Sequence, residues 1–204
     1  MTVAEIRPVP FRAAKTLLTE QHYLHSMPGG TYLAFGVFNH KRLLGAVTLG
    51  VGPKNVHRLV EGAAPDDVLA LTRFWLSDEF PANSESSVIG RTLRAIRKHT
   101  LIKFVVTYAD PSRGHIGTIY QASNWLYTGL SQPMPLYDLG DGIQHHSRSL
   151  SHAYGTHSME HFQSKGIGIR KIAQSPKHRY MYFLDNSWRN RLTVPVQPYP
   201  KETN

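Results

Sequence analysis

The chain has 204 residues, 41% of them hydrophobic and 18% charged, which is enough apolar matter to bury a core and too little charge for a disordered chain. It contains no cysteine, so disulfides, thiolate metal sites and cysteine nucleophiles are excluded together, and catalysis must use oxygen and nitrogen groups. Lysine and arginine total 23 against 14 acids, a formal charge of +9 that points to an anionic partner, although a basic chain without a specific partner stays open.

Met1 to Pro10 lacks the basic and then apolar pattern of a secretion signal, and no apolar run reaches the roughly 18 residues of a membrane span, so the expectation is a cytoplasmic protein with no membrane partner. The charge is uneven. From Gln163 onward there are eight basic residues against Asp185 and Glu202, two-thirds of the total excess.

Phe11 to Tyr23 places Phe11, Ala14, Leu17 and Leu18 three and four apart and predicts an amphipathic helix, ended by Pro28, Gly29 and Gly30. Thr31 to Phe38 and Leu43 to Val51 are β-rich runs joined by a polar hairpin connection. Asp67 to Leu76 is a third apolar run. Ser84 is then expected to cap a helix with Ile89, Leu93 and Ile96 on one face, and Arg94, Arg97, Lys98 and His99 suit its C-terminal dipole. Leu101 to Tyr108 reads as a buried strand that Asp110 and Pro111 stop, followed by a short helix over His115 to Asn124. Trp125 to Leu130 and Lys177 to Leu184 supply two more strands. Between them, Ser131 to Ser175 is rich in serine, glycine and histidine and follows no single period, apart from a short helix that Thr156 could cap. It is read as a surface insertion at 131–175 within a single domain spanning 1–204.

Several side chains stand where chemistry is plausible. Asp110 lies where a buried strand leaves the sheet, so its carboxylate can point into the crevice at the strand ends and accept a proton; a plain Asp-Pro turn is the alternative. Tyr120, on the next helix, carries a phenol that stays protonated at neutral pH and can act as an acid, unless it is an ordinary core tyrosine. Ser84, Ser86 and Ser87 open a helix whose free amides can hold a phosphate or carboxylate, with Gly90 and Arg91 a turn further on; the competing reading is that they are caps only. Arg73 inside an apolar strand calls for a bound donor or for Asp110 as partner, unless its face is solvated. His22 and His25 can share a helical face, and His115 stands between Asp110 and Tyr120. As metal ligands these histidines give a weak signal, which leaves a metal requirement open, and proton transfer or base stacking suits them better.

The insertion and the segment after it interleave cations, Arg148, Lys177, His178 and Arg179 among them, with rings such as Tyr154, Tyr180 and Tyr182. Cations for phosphates and rings for bases make the composition of a nucleic-acid surface; a solvated basic face is the alternative.

The element order resembles that of the GNAT acyltransferases, an α/β fold with a mixed sheet that splays near its middle and is flanked by helices. Within it, the segment Tyr108-Ala109-Asp110-Pro111-Ser112-Arg113-Gly114-His115-Ile116-Gly117-Thr118-Ile119-Tyr120-Gln121-Ala122-Ser123-Asn124-Trp125-Leu126-Tyr127-Thr128-Gly129 resembles the corresponding segment of the phage Mom-type proteins. The likeness continues at His22 to Pro28, Leu71 to Leu76, Asn83 to Ser87 and Lys177 to Leu184, in the expected order. Those proteins are GNAT-like enzymes that convert adenine in DNA to a bulky N6-modified base. The resemblance implies transfer of a small carbonyl-containing group, of methylcarbamoyl or acetamido type, to N6 of adenine in double-stranded DNA. In a phage, such a modification hides restriction sites from host nucleases.

Under that implication Asp110 is the base and Tyr120 the acid, with His115 beside them, because the N6 lone pair is delocalised and needs help to attack. Ser86, Ser87, Gly90, Arg91 and Arg73 would hold the donor. His22, Tyr23, His25, Trp125 and Tyr127 would join Arg148, Lys177, His178, Arg179 and Tyr180 in gripping DNA and an extruded base. The chain departs from ordinary GNAT enzymes in lacking their phosphate loop of Arg or Gln followed by spaced glycines. The donor is therefore either acetyl-CoA or an aminoacyl-tRNA, with tRNA as carrier. Two rival readings remain: an acyltransferase acting on a small amine or protein, and a DNA-binding module without catalysis.

Overall fold

The computed structural model describes residues 4–201. In chain order the elements are β1 (Glu5–Pro8), α1 (Phe11–Gln21), β2 (Thr31–Asn39), β3 (Arg42–Gly50), β4 (Val68–Leu76), α2 (Ser84–His99), β5 (Phe104–Ala109), α3 (Thr118–Gln121), β6 (Leu126–Leu130), β7 (Leu136–Asp138), β8 (Gln144–His146), α4 (Ser147–Tyr154), α5 (Met159–Ser164), β9 (Arg170–Ile172) and β10 (His178–Phe183). They fall into two units, one formed by the chain up to Ala109 with Ile116–Gly129 and the segment from Arg179, the other by Asp110–His115 and Leu130–His178.

The first unit is a seven-stranded sheet in the order β1-β2-β3-β4-β5-β10-β6. β1 to β4 form an antiparallel meander, whereas β4 and β5 run parallel. That parallel ladder pairs Val68 with Phe104, Leu69 with Val105 and Ala70 with Val106, and no further pair follows among the described residues. Beyond Ala70 the two strands part, and a register shift of β3 against β4 between Thr48 and Leu49 sits beside the opening.

Alternation along the strands gives the sheet two apolar faces. Phe35, Val47, Leu49, Leu69, Leu71 and Val105 meet Val88, Ile89, Leu93 and Ile96 of α2. Their neighbours Ala34 and Ala46 turn the other way and receive Ala14 and Leu18 of α1. Alanine on those two strands leaves room for the helix to approach, and Ala14 and Leu18, four apart, are fully buried as the predicted apolar stripe requires. Further along that second face, Val68, Ala70, Phe104, Val106, Met181 and Phe183 form another core.

The second unit has a three-stranded sheet, β8-β7-β9, and its own core of Tyr137, Leu150 and Phe162. The aperiodic composition of 131–175 predicts a surface insertion with one short helix, whereas the structure has three strands and two helices there. Those strands are three residues each, too short for a period of two to show.

Other boundaries also move. Residue Asn83, in the left-handed region at φ 67, precedes α2, and Ser84 is its first helical residue rather than its cap. Ser158, not Thr156, caps α5 by accepting the His161 N–H at 3.4 Å. β1 was not anticipated, and the buried strand expected from Leu101 begins at Phe104. The helix expected over His115 to Asn124 contracts to α3, because Gly117 and Asn124 take positive φ, 84 and 59, which a continuous helix does not allow.

Candidate functional site

In the first unit the candidate site gathers where β4 and β5 part. Tyr120 of α3 is buried, its ring 5.3 Å from Trp125 and 5.6 Å from Tyr180. Its hydroxyl is hydrogen-bonded to Thr107, which in turn donates to the Leu71 carbonyl at 3.2 Å. Thr107 of β5 thus bridges to β4 one residue past the last ladder pair and links the phenol to the opening. Burial pushes the Tyr120 phenol up to about 12, the Thr107 bond opposing it, so the group holds its proton across the physiological range. A protonated phenol is the form that an acid needs.

Arg73 of β4 lies beside the same opening. Its Nε donates to the Ser26 carbonyl at 3.0 Å and its Nη1 to the Thr72 carbonyl at 2.7 Å, which ties the His22–Pro28 loop to the strand. Burial lowers the guanidinium's pKa while Tyr23 acts in the opposite direction, and Tyr23 also acts on Tyr120. Tyr23 is 46% exposed, with its ring stacked on His22 at 4.4 Å. His22 is itself buried, and its Nδ1 accepts the Leu24 N–H, which puts the neutral ring's proton on Nε2. The loop turns sharply at His25, φ 44, whose Nδ1 bonds the Thr19 carbonyl at 3.1 Å.

In the second unit, Asp110 caps the short 3-10 turn Pro111–Arg113. One carboxylate oxygen accepts the Ser112 N–H at 3.0 Å and the Ser112 hydroxyl at 2.7 Å; the other pairs with Lys177 at 3.2 Å. Burial acts to raise the carboxyl, but the Ser112 bonds and the Lys177 charge outweigh it, so its pKa falls below the ordinary 3.8. The same local pattern recurs at Asp185, which accepts the same two bonds from Ser187 at 3.0 and 2.7 Å. The Asp-Pro turn anticipated for Asp110 is therefore present, and any proton transfer must use the oxygen that faces Lys177. His115 is exposed, with its N–H on the Asp110 carbonyl at 3.1 Å.

A carboxyl held low in the fold stabilises it fully above its unfolded value, and that contribution disappears as the pH drops through the folded value. Asp110→Asn is accordingly expected to lower the melting temperature at neutral pH, with the deficit closing below about pH 4. Thermal melts of both proteins across that range check the sign, and a deficit independent of pH would refute it.

The expected donor residues lie at the start of α2. The Ser84 and Ser86 hydroxyls donate back to the Pro81 and Asn83 carbonyls at 2.6 and 3.0 Å, while Ser87 is exposed. A Cβ on Gly90 would meet nothing nearer than Arg94 at 3.6 Å, so packing does not require a glycine there. Arg91 is committed to the Ala4 carbonyl, and Glu85 sits in the first turn. These residues fit an anionic group held by the free backbone amides of the helix start, not an arginine-and-glycine phosphate loop. Pairing with Asp110 was one of the alternatives for Arg73; the structure gives Arg73 two backbone carbonyls and Asp110 the Lys177 ammonium.

The family profile of the Mom protein family matches residues 3–201. The chain belongs to that family. It is 30% identical over 200 residues to the methylcarbamoylase mom of Escherichia phage Mu, a match covering 92% of this chain and 80% of that protein. Among solved structures it is similar to Arabidopsis thaliana NAA60 in complex with acetyl-CoA, with TM-score 0.54 at 8% identity, covering 89% of this chain and 98% of that one. It is also similar to the Escherichia coli GNAT family N-acetyltransferase YhbS in complex with CoA, with TM-score 0.51 at 14% identity, covering 97% and 91%. The GNAT-like fold inferred for this Mom family member is thus shown.

The nucleic-acid residues distribute differently from expectation. Trp125 and Tyr180 are fully buried and Tyr127 nearly so, all in the core that α2 covers, and a ring covered on both sides has no face for a base. Of the rings proposed for stacking, Tyr23 and His25 are exposed in the first unit and Tyr154 in the second. Lys177 spends its charge on Asp110, burial lowers the His178 pKa, and Arg179 is half-buried on Thr128. The Arg148 side chain lies outside the described residues.

Among the described residues no group of three or more histidines and carboxylates is arranged to hold a metal ion, and no helix is long and apolar enough to cross a membrane. An open groove lined by Leu17, Leu43, Leu44 and Trp75 is rimmed by Asp78 and Glu79, the wrong sign for phosphodiesters. Sequence reasoning missed Thr107, Tyr108 and Thr128. The polar Thr107-Tyr108 pair ending an otherwise apolar run was the available signal.

Proposed function

We propose that this Mom family member transfers a small carbonyl-containing group, of methylcarbamoyl or acetamido type, to N6 of adenine in DNA. The observation that carries the reading is the family match across residues 3–201 together with the activity named for its phage Mu relative. The formal charge of +9 supports a polyanionic acceptor, which an acyltransferase acting on a small amine would leave unexplained.

In this reading the N6 nitrogen attacks the donor's carbonyl carbon, forming a C–N bond as the bond to the leaving group breaks. Asp110, ionised at neutral pH, takes the proton that N6 loses, and its partner Lys177 balances the charge. Tyr120, protonated and hydrogen-bonded through Thr107 to the rim of the parted strands, supplies the proton to the leaving group. The exposed ring of Tyr23 stacks on the adenine once it leaves the helix. An activated carbonyl donor carrying an anionic group sits at the start of α2, and acetyl-CoA and an aminoacyl-tRNA both meet that description.

The test is mass spectrometry of nucleosides from plasmid DNA grown with and without the protein. A new adenosine derivative is expected only in its presence, and the added mass defines the donated group. Unmodified plasmid beside abundant folded protein would overturn the reading and favour a small-amine acyltransferase or a binding module.

A further inference from the structure

Successive residues of a strand face opposite sides of its sheet. Ala109 of β5, Tyr127 of β6 and Tyr180 of β10 belong to the core that α2 covers. Their neighbours Tyr108, Thr128 and Arg179 therefore face the other side, and Tyr108 does pack with Phe104, Val106, Met181 and Phe183 there. Because β10 lies between β5 and β6, Arg179 stands in the middle of the three.

The bonds agree with that placement. Arg179 Nε donates to Thr128 Oγ1 at 2.8 Å and Nη2 to the Thr128 carbonyl at 2.7 Å, which aims the planar group; Tyr108 and Tyr127 lie within electrostatic reach. Among the described residues Arg179 takes part in no ion pair. A half-buried guanidinium without a carboxylate is costly to a fold, and its fork of five N–H donors suits a phosphate. Tyr108 strengthens the case, because burial pushes its phenol up to about 12, despite the opposing Arg179 charge, and keeps it a donor.

We propose that Arg179, aimed by Thr128 and flanked by the Tyr108 hydroxyl, holds one backbone phosphate of the nucleic-acid acceptor. Phosphates could also arrive on the donor. The subsite, however, faces away from α2, whose start is the candidate donor position, and this assigns the phosphate to the acceptor. The inference rests on the proposed function and adds to it a contact that positions the strand without reading its sequence.

Fluorescence anisotropy of a labelled DNA duplex, titrated with the full-length protein over a series of salt concentrations, tests it. Arg179→Gln is expected to bind about tenfold more weakly at low salt, with the slope of log affinity against log salt flatter by roughly 0.9, one phosphate's share. Coenzyme A binding should not change. Thr128→Val, of similar size, retains the charge and the carbonyl bond but loses the Oγ1 bond that fixes Nε, so it should weaken duplex binding severalfold and answers the question if the arginine variant does not fold. Folded variants that bind duplex like wild type, or a loss seen with coenzyme A alone, would overturn the subsite. A wild-type protein with no affinity for duplex would instead sink the proposed function beneath it.

Discussion

Tyr120→Phe is expected to cut the yield of modified nucleoside by about a hundredfold or more while shifting the melting temperature by only a few degrees. The phenylalanine ring keeps the contacts with Trp125 and Tyr180, so packing is conserved. What disappears is one hydroxyl and its bond to Thr107, worth about 1 kcal/mol of stability. Thr107 still donates to the Leu71 carbonyl, so the crossing between β5 and β4 survives. If the hydroxyl is an acid, losing it removes the proton source for the leaving group; if Tyr120 is only a core residue, the variant works normally. Asp110→Asn makes the companion case. The amide oxygen can still accept from Ser112, so the turn persists, but a neutral side chain cannot take a proton. Nucleoside mass spectrometry with thermal melts decides both, and wild-type yields from either folded variant would remove that residue from the chemistry.

Gly117→Ala is expected to destabilise the protein by about 3 kcal/mol, whereas Gly114→Ala should cost only about 1 to 2 kcal/mol. Both glycines hold positive φ, 84 and 72, and share the penalty of placing a Cβ there. They differ in surroundings. A Cβ on Gly117 would lie 2.4 Å from the Tyr180 ring, while one on Gly114 would meet nothing within 4 Å. The Tyr180 ring cannot retreat, being fully buried, with its hydroxyl donating to the Ile116 carbonyl and accepting from Gln121 at 3.0 Å. Gly117 also starts the helix that carries Tyr120, so the clash should lower activity together with stability. Urea midpoints of the two variants measure the difference, and equal values would show that Tyr180 yields.

The parts of the fold legible in the sequence were those where a long apolar period leaves few choices. The stripe of Ala14 and Leu18, the β2–β3 hairpin and the buried β5 all lie close to their predicted places, because burial and periodicity agree there. Three-residue strands such as β7 carry no readable period and form only through partners distant in sequence, so the second unit stayed hidden. Ring residues misled for a related reason. Trp125 and Tyr180 suit a base-stacking surface and a core equally well by composition, and only packing shows them buried. Asp110 and Tyr120 were singled out by their places in the motif, and their roles remain proposals that the variants above decide. The polar Thr107-Tyr108 pair breaks the apolar run and marks the place, but not that the Thr107 hydroxyl replaces a backbone partner across the sheet.

Because the rungs between β4 and β5 stop at Ala70 and Val106, the sheet resembles a zip closed for three teeth and open above them. Past that point, among the described residues, no backbone rung joins the two strands, and the Thr107 hydroxyl on the Leu71 carbonyl is the last bond across. The parting is thus built into the strand pairing of the fold itself, with the Thr107 hydroxyl as its lower latch.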